Sequence, residues 1–252
     1  MNERRHTDHY SYTHYASAET ANSFDERRFG GPIGSLIAAS QAKTLSDFVG
    51  PFQHRRILDV GTGTGRAAIL FARGGAHVTA VDASDQMLEV ARARAAEAGA
   101  QDISFAVGDA HALDFVDRSF DVVCCLRVLM HTPQWRVAIA ELCRVADQRV
   151  IVDYPSTASA AVVESLVRRV AYTAGVATEP YRTFTDGAIA RTLGECGFRV
   201  RSVHRQFVLP IALHKAIGSR RFTSWSEAAL DRFGVLERIG SPVSLVAERC
   251  AS

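Results

Sequence analysis

Three acidic residues in this sequence each follow a short apolar stretch, and the first opens a glycine run: Asp59-Val60-Gly61-Thr62-Gly63-Thr64-Gly65. Glycines let a backbone turn sharply and approach a ligand where any side chain would collide. The exposed amides at the start of a following helix offer donors to a carboxylate or another anion. The second acid, Asp82, lies 21 positions beyond Gly61. A carboxylate there can accept hydrogen bonds from both hydroxyls of a ribose. The third, within Gly108-Asp109-Ala110, can receive an adenine amino group. Together they outline a pocket sized for one nucleoside. The spacing is G-x-G-x-G, not the G-x-G-x-x-G of dinucleotide folds. That spacing and Asp109 argue against a nicotinamide-dependent oxidoreductase, the alternative a glycine loop alone leaves open.

These acids need strands to carry them. Residues 57–60, 77–81, 103–107, 120–126 and 149–152 read as buried strands, separated by helical or loop segments. One helix follows the glycine loop through Ala67, Ala68, Leu70 and Phe71 and ends at Gly74-Gly75. Another opens at Ser84, with Asp85 in its first turn, and runs through Met87, Leu88 and Ala91 to Gly99. Alternation of this kind predicts a parallel sheet covered by helices on both faces. Upstream, residues 1–50 form an arm and a helix (36–49) with the role of a cap or lid. Tyr15 and Phe24 are placed to fold over the pocket, and Gly30-Gly31 serves as the hinge. Downstream, residues 156–177 carry Val163, Leu166, Val167 and Val170 at helical spacing. Ile189 and Leu193 mark a further helix ending at Gly197, and residues 198–204 and 243–247 read as strands. Residues 206–240 interrupt those two strands with helical signals and are expected to cover the active site. Residues 51–252 thus read as one elaborated domain.

Composition narrows the classes. The 252 residues are 47% hydrophobic and 22% charged, with 29 basic against 27 acidic residues. A net charge of +2 does not suit general nucleic-acid binding, and the balance is not that of a disordered chain. No apolar run reaches the roughly 18 residues of a spanning helix. Residues 1–10 contain no apolar signal-peptide core, so a cytoplasmic protein without membrane partners is expected. Cys124, Cys125, Cys143, Cys196 and Cys250 fit neither a disulfide framework nor a zinc site, and no metal is expected. Cys124 and Cys125 are adjacent, so on a strand they point to opposite faces.

The set formed by residues 58–65, 78–84, 108–110, 120–131 and 150–153 resembles the class I S-adenosylmethionine-dependent methyltransferases. The resemblance implies an α/β, Rossmann-like, doubly wound and mostly parallel seven-stranded sheet, with a helical cap insertion. It implies S-adenosyl-L-methionine as cofactor. Asp59 with Gly61, Thr62, Gly63 and Gly65 would line the methionine end, and Asp82 would hold the ribose. Ala83 and Met87 would lie beside the adenine, Asp109 and Ala110 would contact the ring, and Leu126 and Arg127 would lie near the sulfonium.

The acceptor is written less plainly. Methyl transfer is an in-line displacement in which the protein mainly aligns the nucleophile and removes its proton. After the fourth strand the sequence reads Leu126-Arg127-Val128-Leu129-Met130-His131, without the Asp/Asn/Ser-Pro-Pro-Tyr/Phe motif of enzymes that methylate exocyclic base or amide nitrogens. With no basic stripe either, a small-molecule substrate and no nucleic-acid partner are expected, on a monomer or homodimer. His131 and Asp153 both fall at the carboxyl edge of the sheet, as in sugar and phenol O-methyltransferases. There a histidine takes a hydroxyl proton and an acid orients it. Some of those enzymes have tandem histidines, whereas Met130 holds the first position here. Tyr181, Arg182, His214 and Lys215 are the candidate substrate contacts, the cationic ones suited to a carboxylate or phosphate. A hydroxyl of a sugar, phenol or quinone-like metabolite is the leading acceptor. An N- or C-methyltransferase of a metabolite or protein side chain, and a non-catalytic cofactor-binding module, stand as alternatives.

Overall fold

A computed structural model describes residues 25–26, 28–175 and 181–251. Tyr15 and Phe24, the aromatics assigned to a lid, lie outside the described residues. Seven strands form one sheet in the order β3-β2-β1-β4-β5-β7-β6. Strands β1 (Arg56–Val60), β2 (His77–Asp82), β3 (Ile103–Val107), β4 (Phe120–Cys125) and β5 (Ala146–Tyr154) are parallel. Strand β7 (Ser241–Arg249) runs antiparallel between β5 and β6 (Phe198–Phe207). This is the Rossmann-like, mostly parallel seven-stranded sheet that the resemblance implies.

Side chains alternate across the strands, so each face builds its own core. Leu58 and Val60 of β1 join Ala138, Ile139 and Leu142 of α4 (Trp135–Val145) and Ile189 and Leu193 of α6 (Asp186–Glu195). Ile57 faces the other way, against Leu45 and Phe48 of α1 (Gly31–Val49) and Ala68 and Phe71 of α2 (Arg66–Arg73). Cys124 and Cys125 divide between the same two cores, and both thiols are free. Helix α3 (Asp85–Glu97) starts where expected, with Ser84 Oγ accepting the Met87 amide. Helix α1 begins five residues earlier than its apolar pattern suggests, because Pro32 suits a first turn. Strand β5 is longer than predicted, since the polar Asp147 and Gln148 disguise its first half.

The C-terminal part departs more. Helix α5 (Ala161–Thr173) forms, but its apolar stripe faces solvent: Val163, Leu166, Val167 and Val170 are each at least 60% exposed. Residues 206–240 fold as α7 (Ile211–Ile217), α8 (Arg220–Arg232) and α9 (Val235–Ile239), with α7 and α8 against α1 and α9 against β6. Among the described residues no helix is long and apolar enough to cross a membrane.

Candidate active site

The parallel strands end on one side of the sheet, and their loops enclose a cleft. Gly61, just past β1, has φ +69°, and a Cβ on it would stand 2.1 Å from Val128 Cγ2. Any side chain would push the β4 loop away. Gly63 has φ +55° with open space beside it, and its N–H donates to Asp82 Oδ2 at 2.8 Å. The Ser84 N–H donates to Asp82 Oδ1 at 3.0 Å. Two backbone donors thus fix the carboxylate at the cleft wall, and burial raises its pKa. Asp59 is 2% exposed and accepts the Thr62 hydroxyl at 2.7 Å; burial pushes its carboxyl up to about 6. Asp109 Oδ1 accepts the backbone N–H of His111 at 2.9 Å and its Nδ1 at 2.7 Å.

Asp59, Gly61, Thr62, Gly63, Asp82, Ala83, Met87, Asp109, Ala110, Leu126 and Arg127 all line this one cleft. Gly65 does not. It precedes α2 as its N-cap, and a Cβ there would come 3.1 Å from Ala91 of α3, so the residue serves helix packing.

On the opposite wall, His131 ends the 3₁₀ turn Leu129–His131; it is buried and lines the cleft. Asp153 is not its partner. The Arg127 N–H donates to Asp153 Oδ1, and the guanidinium groups of Arg127 and Arg28 favour its charged form against the burial that raises its pKa. Arg127 makes this bond from a left-handed backbone conformation, φ +63°. The expected histidine–acid pair is therefore corrected: Asp153 holds the Arg127 backbone and is absent from the lining.

The four candidate substrate contacts also fall elsewhere. His214 is fully buried, with Nε2 2.8 Å from Glu227 Oε1 and Nδ1 3.0 Å from Thr223 Oγ1. It knits α7 to α8 and presents nothing to a ligand. Lys215 Nζ donates to the Arg28 carbonyl at 2.9 Å, so it steadies a cleft-lining segment from behind. Arg182 braces the His131 turn, its N–H donating to the Met130 carbonyl at 3.0 Å. The Tyr181 carbonyl accepts the Ser165 hydroxyl at 2.6 Å, and the Tyr181 hydroxyl donates to the Ala161 carbonyl at 3.2 Å, which ties α5 to the domain.

Among the lining residues that sequence reasoning missed are Phe29, Gln41, Arg66 and His111. Two had a local signal. His111 lies two positions after Asp109, within reach of its carboxylate, and Arg66 follows the last glycine of the loop.

Residues 57–148 match the family model described as a methyltransferase domain. The chain carries the class I methyltransferase fold. The chain is 43% identical over 88 residues to a ubiquinone biosynthesis O-methyltransferase of Paracidovorax citrulli, covering 34% of this chain and 37% of that protein. It is 40% identical over 103 residues to a demethylmenaquinone methyltransferase of Renibacterium salmoninarum, covering 41% of each chain. The chain spans under half the length of these curated relatives. Magnesium protoporphyrin IX methyltransferase from Synechocystis PCC 6803, solved with bound SAH, superposes with a TM-score of 0.65 at 20% identity, over 95% of this chain and 98% of that one.

Proposed function

We propose that this protein is an S-adenosylmethionine-dependent methyltransferase that modifies a hydroxyl oxygen of a small molecule. The observation that carries the reading is the convergence of Asp59, Asp82 and Asp109 with the glycine loop on one cleft. The cofactor suits that donor and acceptor set. Its ammonium, ribose hydroxyls and adenine amine are donors and meet carboxylates, each already fixed by protein hydrogen bonds. When bound, it supplies an electrophilic methyl group on a sulfonium.

The chain's own residues do the rest. Asp82 accepts both ribose hydroxyls and fixes the nucleoside against β2. Arg127, whose backbone N–H is tied to Asp153, lines the same cleft. The His131 imidazole takes the proton released when the acceptor oxygen gains its methyl group, and Arg182 holds the turn that aims it. The name of the ubiquinone-pathway relative, an O-methyltransferase, supports an oxygen acceptor; that of the demethylmenaquinone methyltransferase names no oxygen. Calorimetry tests the cofactor reading: S-adenosylhomocysteine should bind with micromolar affinity, about −8 kcal/mol, and NADH should not. Binding of NADH with no response to S-adenosylhomocysteine would overturn it. Mass spectrometry after incubation with hydroxylated metabolites reads out the acceptor atom.

A further inference from the structure

Away from the cofactor cleft, two thiols meet at an open cavity of about 330 Å³, ample for a small oxidant. Cys143 and Cys196 both line it, together with Arg118, Arg144 and Arg249, and it shares no lining residue with the cleft. Cys143 stands in the last turn of α4 and is 2% exposed. Cys196 caps the C-terminus of α6 and is half-buried, so it is the thiol that solvent reaches. Burial raises the pKa of both; the hydrogen bond between the two thiols then raises Cys143 and lowers Cys196. The shared proton therefore stays on Cys143, and Cys196 is the sulfur that gives a thiolate. Arg249 braces the corner where α4 ends and β6 begins. Its Nη2 donates to the Cys143 carbonyl at 2.7 Å and its Nε to the Asp147 carbonyl at 3.1 Å, while its guanidinium carbon lies 4.5 Å from the centre of the Phe198 ring. Cys250 joins the same corner by its backbone alone, its N–H donating to the Gly197 carbonyl at 2.9 Å. Cys124 and Cys125 are fully buried in β4 and lie outside the cavity.

We infer that Cys143 and Cys196 are a modification site, a thiol pair that hydrogen peroxide closes into a disulfide clamping α4 to α6. Deprotonated Cys196 attacks one oxygen of the peroxide. The O–O bond breaks, the departing hydroxide takes a proton from solvent, and Cys196 is left as a sulfenic acid. The Cys143 sulfur then attacks the Cys196 sulfur, the S–O bond breaks, and the Cys143 proton leaves with the hydroxide as water. Two thiols and one peroxide thus give one disulfide and two waters, the thiols supplying both electrons. Exposure and proton placement fix the order: Cys196 meets the oxidant, and the enclosed Cys143 resolves it. Resolution also stops Cys196 short of the irreversible sulfinic acid. The cross-link closes a loop that holds β5, α5 and α6, and with them Asp153 and Arg182, which tie down the β4 loop and the His131 turn. Closing that loop restricts the unfolded chain and so stabilises the fold behind the acceptor wall.

Treating the full chain with hydrogen peroxide, digesting it without reductant and weighing the peptides tests this. The expected product is a peptide pair joined through residues 143 and 196, lighter than the two reduced peptides by two hydrogen atoms. The oxidised protein should melt roughly 5–15 °C above the reduced one, and dithiothreitol should reverse the shift. Cys143→Ser should leave the sulfenic acid unresolved, so dimedone should label Cys196 strongly in this variant and scarcely in the wild type. Cys143→Ala serves if the serine variant does not fold. Cys250→Ser should alter neither the bridge nor the labelling. Thiols at 143 and 196 that both stay free after peroxide, or a bridge through Cys250 instead, overturn the pair. Equal dimedone labelling of Cys196 with and without the Cys143 thiol does the same, and a bridge that lowers the melting temperature overturns the clamp.

Discussion

The glycine-loop half of the cleft and the insertion at 206–240 are both built around buried acids, but they hold them differently. Asp82 is fixed by amides one residue after the loop's first threonine and two residues after itself, and Asp59 by a hydroxyl three residues away. Glu227 gathers three partners from two separate places: the adjacent amides of Val208 and Leu209, at 2.7 and 3.0 Å, and the ring of His214. The first arrangement leaves carboxylate lone pairs facing a cleft. The second consumes them inside the fold. A buried polar cluster is thus a ligand site or a structural knot according to where its remaining acceptors point, and residue type alone does not tell which.

The comparison can be broken experimentally, beginning with the largest effect. His131→Ala should lower turnover by on the order of 10²–10⁴ with melting temperature nearly unchanged, if the imidazole takes the acceptor proton. Turnover near wild type in a folded variant would make His131 a packing residue. Glu227→Ala should cost about 3–5 kcal/mol in urea unfolding, because it strands His214 and two amides in the interior. Affinity for S-adenosylhomocysteine should change far less, and a large loss there would tie the insertion to the cofactor site. Asp82→Ala should do the reverse, weakening S-adenosylhomocysteine by roughly 1–3 kcal/mol with little change in stability.

Asp59 supplies a pH test. Its carboxyl is pushed up to about 6 in the fold from an ordinary 3.8. The folded protein therefore binds more protons between those values, and the penalty of the buried charge grows as pH rises through 6. Asp59→Asn should raise the melting temperature of the ligand-free protein at pH 8, by up to about 3 kcal/mol in stability, and the gain should fade towards pH 4. A gain independent of pH would mean that the charge is not what costs stability. The smallest effect belongs to α5: Leu166→Gln should shift stability by no more than about 0.5 kcal/mol, since the side chain is 61% exposed.

Legibility follows the same divide. The positions of the strands along the chain, the loop at 59–65 and the acid that ends β2 were readable because each depends on residues near in sequence. Ser84 was recognised as a cap on one local bond. The pairing of Asp153 with Arg127 was not, because it depends on a left-handed residue at the end of β4 and a side chain 26 positions away. His214 and Lys215 read as substrate contacts for a related reason. Their partners, Glu227 and the Arg28 carbonyl, come from other elements that only the fold brings near. The stripe on α5 has the spacing of a core helix, yet burial is decided by a neighbour, and spacing names no neighbour.

The place of β7 bears on how the chain is made. Strands β3, β2, β1, β4 and β5, which carry the whole glycine-loop side of the cleft, are complete once residue 154 has left the ribosome. Strand β6 then waits beside nothing, for its neighbour is β7, which must slip between it and β5 some 40 residues later. Until that happens, β5 and β6 each lack the neighbour that separates them in the finished sheet. Synthesis that stalls between residues 207 and 241 leaves their edges free to pair with another chain.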